Sequence, residues 1–212
     1  GRCCHGFKWQ DHNKRTHGRR LGCARPVHKT AGNFNNLIGV PKTILDWQPD
    51  AWAAVIEMGM NVPGEIERLT QIAAPDVGLI TNVAGAHLEG LGSIEGVAEA
   101  KGELFASLPP NAIGVVNLDD PLVRSICLPL LGTRTRLTFG RDPDADIRIL
   151  DCLSTRTGSI VKLSIHGHSF DFPVPLFGVH QASNVAAAVS VALALGSRPA
   201  SIQNGIAQVA VP

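Results

Sequence analysis

The stretch Val77-Gly-Leu-Ile-Thr-Asn-Val-Ala-Gly-Ala-His-Leu-Glu-Gly-Leu-Gly-Ser93 decides how this chain folds. It opens on a short apolar run and passes through a glycine-rich loop carrying Asn82 and His87. It ends on Ser93, ahead of a helical pattern that continues to Leu108. A short apolar run bounded by turn residues reads as a strand buried on both faces, and a serine ahead of the helical run reads as its cap. Glu95 and Glu99 follow in the early turns, where the helix dipole favours acids. Pro109-Pro110 ends the helix, and Ala112 to Asn117 is the next strand. Strand, loop, helix and strand in this order is the repeating unit of a parallel sheet.

The same alternation extends in both directions. Upstream, Ala53-Ala-Val-Ile-Glu-Met58 is a buried strand by pattern. The stretch from Gly64 to Ala73 carries Ile66, Leu69 and Ile72 at helical spacing, and Pro75 stops it. Downstream, Asp120-Pro121 opens a helix with proline in its first turn, and Arg136 to Gly140 is a strand. Residues 146–174 change character: Ile147/Ile149, Val161/Leu163/Ile165 and Phe170/Phe172 alternate at period two, which predicts antiparallel hairpins. Val179 to Leu195 is an alanine-rich helix ended by Gly196, and Pro199 to Val209 begins another. The expected architecture is α/β, a mostly parallel sheet with helices on both faces plus a small antiparallel section near 146–174. In such sheets ligands sit beyond the carboxyl ends of the strands, so the residues after Ile56, Thr81 and Val116 are the ones that matter.

The whole chain has 212 residues, of which 44% are hydrophobic, 17% charged and 5% aromatic. That length supports one large core, and the composition excludes collagen-like repeats, a disordered tail and a disulfide scaffold. No apolar run reaches the ~18 residues that span a bilayer, and no secretory leader is expected. Five cysteines fit a reducing compartment better than an oxidising one.

The net charge of +1 hides a seam. Residues 1–30 hold eight Lys/Arg against one acid, together with four of the eight His and three of the five Cys. They show no apolar period of either kind, whereas the rest of the chain, with eleven Lys/Arg against seventeen acids, reads as an ordinary folded domain. The Cys and His spacing matches no zinc finger. The basic excess lacks aromatic interleaving beyond Phe7 and Trp9, so a nucleic-acid arm is not expected either.

Three strand ends carry polar groups. Glu57-Met58-Gly59 puts a carboxylate at the mouth of a strand, where it can ligate Mg²⁺, orient a water or pair with a nearby base. Asn82 and His87 stand on the glycine-rich loop; a neutral imidazole can ligate a metal or position a phosphate, and a lone loop histidine is also a common surface residue. Asn117-Leu118-Asp119-Asp120 offers acceptors for a ribose or a base edge, and either aspartate can equally cap a helix. Lys101, between Ala100 and Gly102, is uncrowded on the helix after the His87 loop, where a plain surface lysine is the bland alternative.

Six ordered segments carry a resemblance. They are His28-Lys-Thr-Ala-Gly-Asn-Phe-Asn-Asn-Leu-Ile-Gly-Val-Pro41, Glu57-Met-Gly-Met-Asn61 with Gly64-Glu65-Ile66, His87-Leu-Glu-Gly-Leu-Gly-Ser93, Ala100-Lys-Gly-Glu103, Asn117-Leu-Asp-Asp120 and Gly178-Val-His-Gln-Ala-Ser-Asn184. In order and spacing this resembles the central, phosphate-loop NTPase-like domain of the Mur ligases. The first and third segments are most similar to the branch that joins D-Ala-D-Ala to a UDP-N-acetylmuramoyl (UDP-MurNAc) tripeptide. The resemblance covers residues 28–212 and leaves the amino- and carboxyl-terminal domains of the family unrepresented.

The resemblance implies ATP and Mg²⁺ as cofactors, UDP-MurNAc-peptide and D-Ala-D-Ala as substrates, and a monomer in the bacterial cytoplasm with neither nucleic acid nor membrane as partner. It implies that Glu57 and His87 hold magnesium near the γ-phosphate. Lys101 matches a lysine that becomes a carbamate in many members and then joins the metal set, so that Glu57, His87 and Lys101 form the implied catalytic group. Asn184 matches an adenine contact; Gln181 stands where relatives usually carry Asn. Asn117 and Asp119 are further nucleotide positions, and Asn33, Asn36 and Asn82 lie on the phosphate and substrate side. Mur ligases that add single amino acids and folylpolyglutamate synthases share the fold and reaction type, and a catalytically dead nucleotide-fold fragment is the other alternative.

One part of the pattern is absent. A glycine-rich loop ending in Gly-Lys-Thr, whose backbone N–H groups cradle phosphates, is due just before His28, and no such string exists in the chain. At that distance stands His5-Gly-Phe-Lys-Trp-Gln-Asp-His-Asn13. Read one base later, the codons allowed for Phe7 to His12 spell Ser-Asn-Gly-Lys-Thr, and His5-Gly6 allows Thr-Gly before it. Asn13 to Gly22 shifts to T-K-E-L-M-A-A-V-L-G, an amphipathic helix. Residues 1–27 are therefore expected to be an aberrant basic segment, an out-of-frame translation of the phosphate-loop region, ahead of a truncated central domain at 28–212.

Overall fold

The structure, a computed structural model, describes residues 2–5, 26–85 and 88–209. Its strands are β1 (Arg2–His5), β2 (Val27–Lys29), β3 (Ala53–Ile56), β4 (Val77–Ile80), β5 (Ile113–Asn117), β6 (Arg136–Gly140), β7 (Ile147–Thr155), β8 (Gly158–Ile165) and β9 (His168–Val174). They form one nine-stranded sheet in the order β2-β3-β1-β4-β5-β6-β7-β8-β9. Pairing is parallel from β2 through β7 and antiparallel from β7 to β9.

The helices cover both faces. On one face α1 (Gly39–Leu45), α2 (Glu65–Ala73) and α4 (Ile94–Ser107) pack on Ala54, Ile56, Ile80 and Val116. On the other, α5 (Gln181–Ala194) and α6 (Pro199–Ala207) pack on Val77, Leu79, Val115 and Phe139. A single turn, α3 (Leu88–Leu91), precedes α4. Alternate residues of β4 thus serve opposite cores, which is why this strand reads as a continuous apolar run. Ser93 caps α4, its hydroxyl accepting from the Gly96 N–H at 3.1 Å. Gly64 turns the chain into α2 at φ 88°, a left-handed conformation that glycine adopts without strain.

Two features add to the expectations. The antiparallel section is part of the main sheet: β7 starts beside the last two residues of β6, at Phe139↔Ile147 and Gly140↔Arg148, and runs on past the edge where the parallel strands end. No full crossover is needed for such a short overlap, so residues 141–146 suffice. The Asp146 carboxylate holds that turn, accepting from the Thr138 N–H at 2.8 Å and the Thr138 hydroxyl at 2.7 Å. The helix opened by Asp120-Pro121 widens into a π-helix over Val123–Cys127 and tightens into a 3₁₀ turn over Leu128–Leu131. Pro129 has no N–H to continue a regular ladder there.

Cys127 lies fully buried in that π-turn, its thiol donating to the Ala98 carbonyl at 3.3 Å. Burial pushes the thiol up from 9.0 to about 12, with the nearby Asp120 charge adding and Lys101 opposing. The folded chain keeps this proton where the unfolded chain has lost it. The thiol's contribution to stability is therefore present below pH 9.0 and is lost as pH rises towards about 12. We expect Cys127 to resist a soluble thiol reagent at about pH 8 in the native protein and to react once it is unfolded. Peptide mapping of the labelled chain reads this, and native labelling of Cys127 as fast as the half-buried Cys152 would contradict it.

Candidate functional site

The strand order reverses direction at β1. The connection from β1 leads to β2 on one side, whereas that from β3 leads past β1 to β4 on the other. In an open parallel sheet such a switch point leaves a crevice at the carboxyl ends, which is where ligands bind. The residues after His5, where the sequence leads one to expect a phosphate loop, lie outside the described residues, as does His87. What the structure brings to the rim are the ends of β3, β4 and β5 and the first turn of α5.

At the end of β3, the half-buried Glu57 receives the Asn35 side-chain amide on Oε1 at 3.0 Å, and its own N–H donates to the Thr30 hydroxyl at 2.9 Å. The Gly59 N–H donates to the Asn35 carbonyl at 2.7 Å, locking the loop 33–36 against the strand end. Asn35 is thus the residue of that loop that touches the carboxylate. Sequence reading had singled out its neighbours Asn33 and Asn36. Asn33 is exposed, and the Asn36 Oδ1 accepts from the N–H groups of Ile38 and Gly39 at 3.1 and 2.9 Å, a capping role at the start of α1. The Asn35-Asn36 pair was the available signal; which amide faces Glu57 depends on the turn at Gly32, φ 56°.

The loop after β4 is held at three successive residues. Asn117 donates its side-chain amide to the Thr81 carbonyl at 2.7 Å, Lys101 Nζ donates to the Asn82 carbonyl at 2.7 Å, and the Val83 N–H donates to Asp120 Oδ2 at 2.8 Å. The Asn82 side chain is exposed, and Lys101 is half-buried. Asp119 Oδ1 accepts from the N–H groups of Arg141 and Asp142, tying the end of β5 to that of β6. Neighbouring Asp142 is ion-paired to Arg124; the N–H of Asp144 and that guanidinium hold its carboxyl below the usual range. Asn117 and Asp119, read from sequence as nucleotide positions, spend these atoms on the scaffold.

The two antiparallel reversals bring β9 back parallel to β6, so α5 starts at the carboxyl side of the sheet and runs back along it. Its first turn carries a short polar chain: His180 Nε2 lies 2.9 Å from Gln181 Nε2, and Asn184 donates to Gln181 Oε1 at 3.3 Å. Asn184 is exposed and Gln181 half-buried. Among the described residues no three His, Cys, Asp or Glu side chains cluster as a metal cage. The described part of the expected metal set is Glu57 and Lys101.

Comparison with known proteins gives a consistent result. The family model described as the Mur ligase middle domain matches residues 15–192. The UDP-N-acetylmuramoyl-tripeptide–D-alanyl-D-alanine ligase of Synechocystis is 42% identical over 180 residues, which is 85% of this chain and 37% of that protein. Among solved structures, MurF from Acinetobacter baumannii superposes with a TM-score of 0.81 at 29% identity, covering 88% of this chain and 40% of that one. The MurF ligase of Thermotoga maritima in complex with ADP gives 0.77 at 32% identity, covering 89% and 43%. The chain spans about two fifths of the length of these relatives.

One close approach couples the rim loops. The Cα of Gly90 in α3 lies against the Asn61 carbonyl oxygen, and a Cβ there would collide with it. Asn61 lies in the loop that runs from Glu57 to Gly64, so α3 and that loop hold each other in place. We expect Gly90→Ala to cost about 1–3 kcal/mol in denaturant unfolding, the penalty of overpacking a closed contact. An unchanged midpoint would show that the two loops are not in register.

Proposed function

The chain belongs to the Mur ligase family, and from that premise we propose that it is the nucleotide-handling centre of an ATP-dependent ligase that joins D-Ala-D-Ala to the tripeptide of a UDP-MurNAc precursor. The observation that carries this reading is the Asn35–Glu57 pair at the switch point of the sheet, beside a loop fastened by Asn117, Lys101 and Asp120. The named relatives that match over most of this chain add the choice of substrates. The same reading puts the protein in the bacterial cytoplasm as a monomer. Among the described residues no helix is long and apolar enough to cross a membrane.

In the proposed reaction the γ-phosphoryl group of ATP passes to the terminal carboxylate of the tripeptide. The amine of D-Ala-D-Ala attacks the acyl carbon, phosphate leaves with the C–O electron pair, and the amine gives up a proton as the amide forms. Such a transfer asks the protein chiefly for positioning and charge neutralisation. A carboxylate is a hard oxygen donor of the kind Mg²⁺ prefers, so Glu57 fits the metal, with His87 as its companion. When bound, the metal neutralises charge on the phosphate oxygens. Asn35 fixes the Glu57 carboxylate, and Lys101 brings an amine to the same rim. A carbamate on Lys101 would reverse that charge and let it join the metal set. Gln181 and Asn184 offer amides to the adenine. Asn33, Asn36 and Asn82 line the phosphate and substrate side.

We further read residues 1–27 as the out-of-frame image of the phosphate loop and its helix. Support comes from the sheet. On β2 and β3 the face opposite α1 carries Val27, which is 49% exposed, and the half-buried Val55. A right-handed crossover from β1 to β2 would lay the in-frame amphipathic helix on that face. As written, the chain lacks the lysine that reaches the β/γ-phosphate oxygens, so it is expected not to turn over.

The deciding experiment is the nucleotide sequence encoding residues 1–30 and its flanks. One inserted or deleted base that restores T-G-S-N-G-K-T is expected. An intact frame with no alternative-frame loop would sink the proposal. Mg-ATP titration, read by the fluorescence of Trp47 and Trp52, should give no response in the chain as written and a saturable one in the frame-restored protein.

A further inference from the structure

We propose that Asp120 is a positioning residue for the phosphate crevice, fastening the loop after β4 to the first turn of the helix after β5. The proposal rests on the nucleotide reading above.

The two carboxylate oxygens have separate tasks. Oδ1 accepts from the N–H groups of Leu122 and Val123 at 3.0 and 2.9 Å, an ordinary helix cap. Oδ2 reaches back 37 residues to accept from the Val83 N–H at 2.8 Å. Capping alone needs only one oxygen. Val83 is 9% exposed, so its N–H has little access to water and would be orphaned without Asp120. Of the three bonds that hold residues 81–83, this one and the Lys101 bond are charge-assisted, the stronger kind, and this is the one that satisfies a backbone N–H. Val83 is also the last of these held positions before Ala84 and Gly85 carry the chain out towards α3. Asp120 therefore sets the point at which the loop after β4 leaves the sheet at the rim of the crevice. It touches no ligand itself; it acts through the loop.

The cap and the clamp separate by substitution. In Asp120→Asn the single amide oxygen can stay on the two helix N–H groups. The NH₂ then faces the Val83 N–H, donor against donor, so the cap survives and the clamp is lost. Asp120→Ala removes both. In the chain as written, hydrogen exchange should rise roughly tenfold or more at Val83–Gly85 in Asp120→Asn with Leu122–Cys127 unchanged, and at both segments in Asp120→Ala. In the complete ligase with the phosphate loop in frame, Asp120→Asn should lower kcat by about 10- to 100-fold, with the KM for D-Ala-D-Ala nearly unchanged and the melting temperature lowered less than in Asp120→Ala. Asp120→Ala should be no slower than Asp120→Asn, though less stable.

Exchange that rises equally in both segments of Asp120→Asn overturns the proposal, because Asp120 is then only a cap. Faster loop exchange with an unaltered kcat also overturns it, because the clamp then positions nothing. An unsubstituted complete enzyme that neither binds nor turns over ATP overturns the nucleotide reading and the positioning role together. The exchange split would still report the clamp in that case, which distinguishes the two failures.

Discussion

A right-twisted parallel sheet accepts crossover connections of one hand only, and the placement of every functional group here follows from that constraint. The steps from β2 to β3, β3 to β4 and β4 to β5 all travel in one direction along the sheet, so α1, α2 and α4 share a face. The step from β1 to β2 travels the other way. That reversal opens the crevice at the carboxyl end of β1, and the ends of β3, β4 and β5 become its rim. No single element makes the site. Glu57, the loop beginning at Thr81, and Asn117 come from separate strands and lie along one edge because the parallel register keeps the strand ends level.

The rim is built from side chains that hold backbone. Asn117 and Asp120 grip the loop after β4, Asp119 grips the loop after β6, and Asn36 grips the start of α1. Two glutamates act similarly one layer out: Glu65 accepts from the N–H groups of Asn61 and Val62, and Glu103 from those of Gly64 and Glu67. Among the described residues no buried side-chain nitrogen or oxygen lacks a partner. Such a rim is held by the chain's own hydrogen bonds, and a rim so fixed is the form of electrostatic preorganisation that phosphoryl transfer exploits. It also explains why these positions look like ligand contacts in sequence: Asn and Asp suit both a phosphate rim and a loop that needs its N–H groups satisfied.

Much of this was legible beforehand for a physical reason. Buried parallel strands must be apolar throughout and helices must be capped or stopped, so Val77–Ile80, Ile94–Ser107 and Arg136–Gly140 stand within a residue or so of where pattern put them. The antiparallel alternation of 147–174 was equally plain, but its union with the parallel sheet was not, because it depends on a two-residue overlap at Phe139 and Gly140. The π-turn at Val123–Cys127 was invisible because its hydrogen-bond shift leaves no period of its own. Asn35 was missed for a related reason: adjacent amides differ only in which way a turn aims them. The short elements α1, α3 and β2 carry too few residues for a pattern to emerge.

The amino-terminal strand shows how little a strand flanked on both sides asks of its side chains. Strand pairing uses backbone groups alone, and Arg2–His5 joins β3 and β4 in register although Arg-Cys-Cys-His is no apolar run. A short strand flanked on both sides gains its hydrogen bonds from its neighbours, so the sheet specifies it almost regardless of side chain. A phosphate loop has no such tolerance. It needs glycines where the backbone must approach an anion and a lysine where charge must be neutralised, and neither is supplied by neighbours. On the proposed out-of-frame reading, a shift of frame spares the architecture and removes that chemistry. The family match extends over most of the chain, whereas no glycine-rich loop ending in Gly-Lys-Thr stands in it.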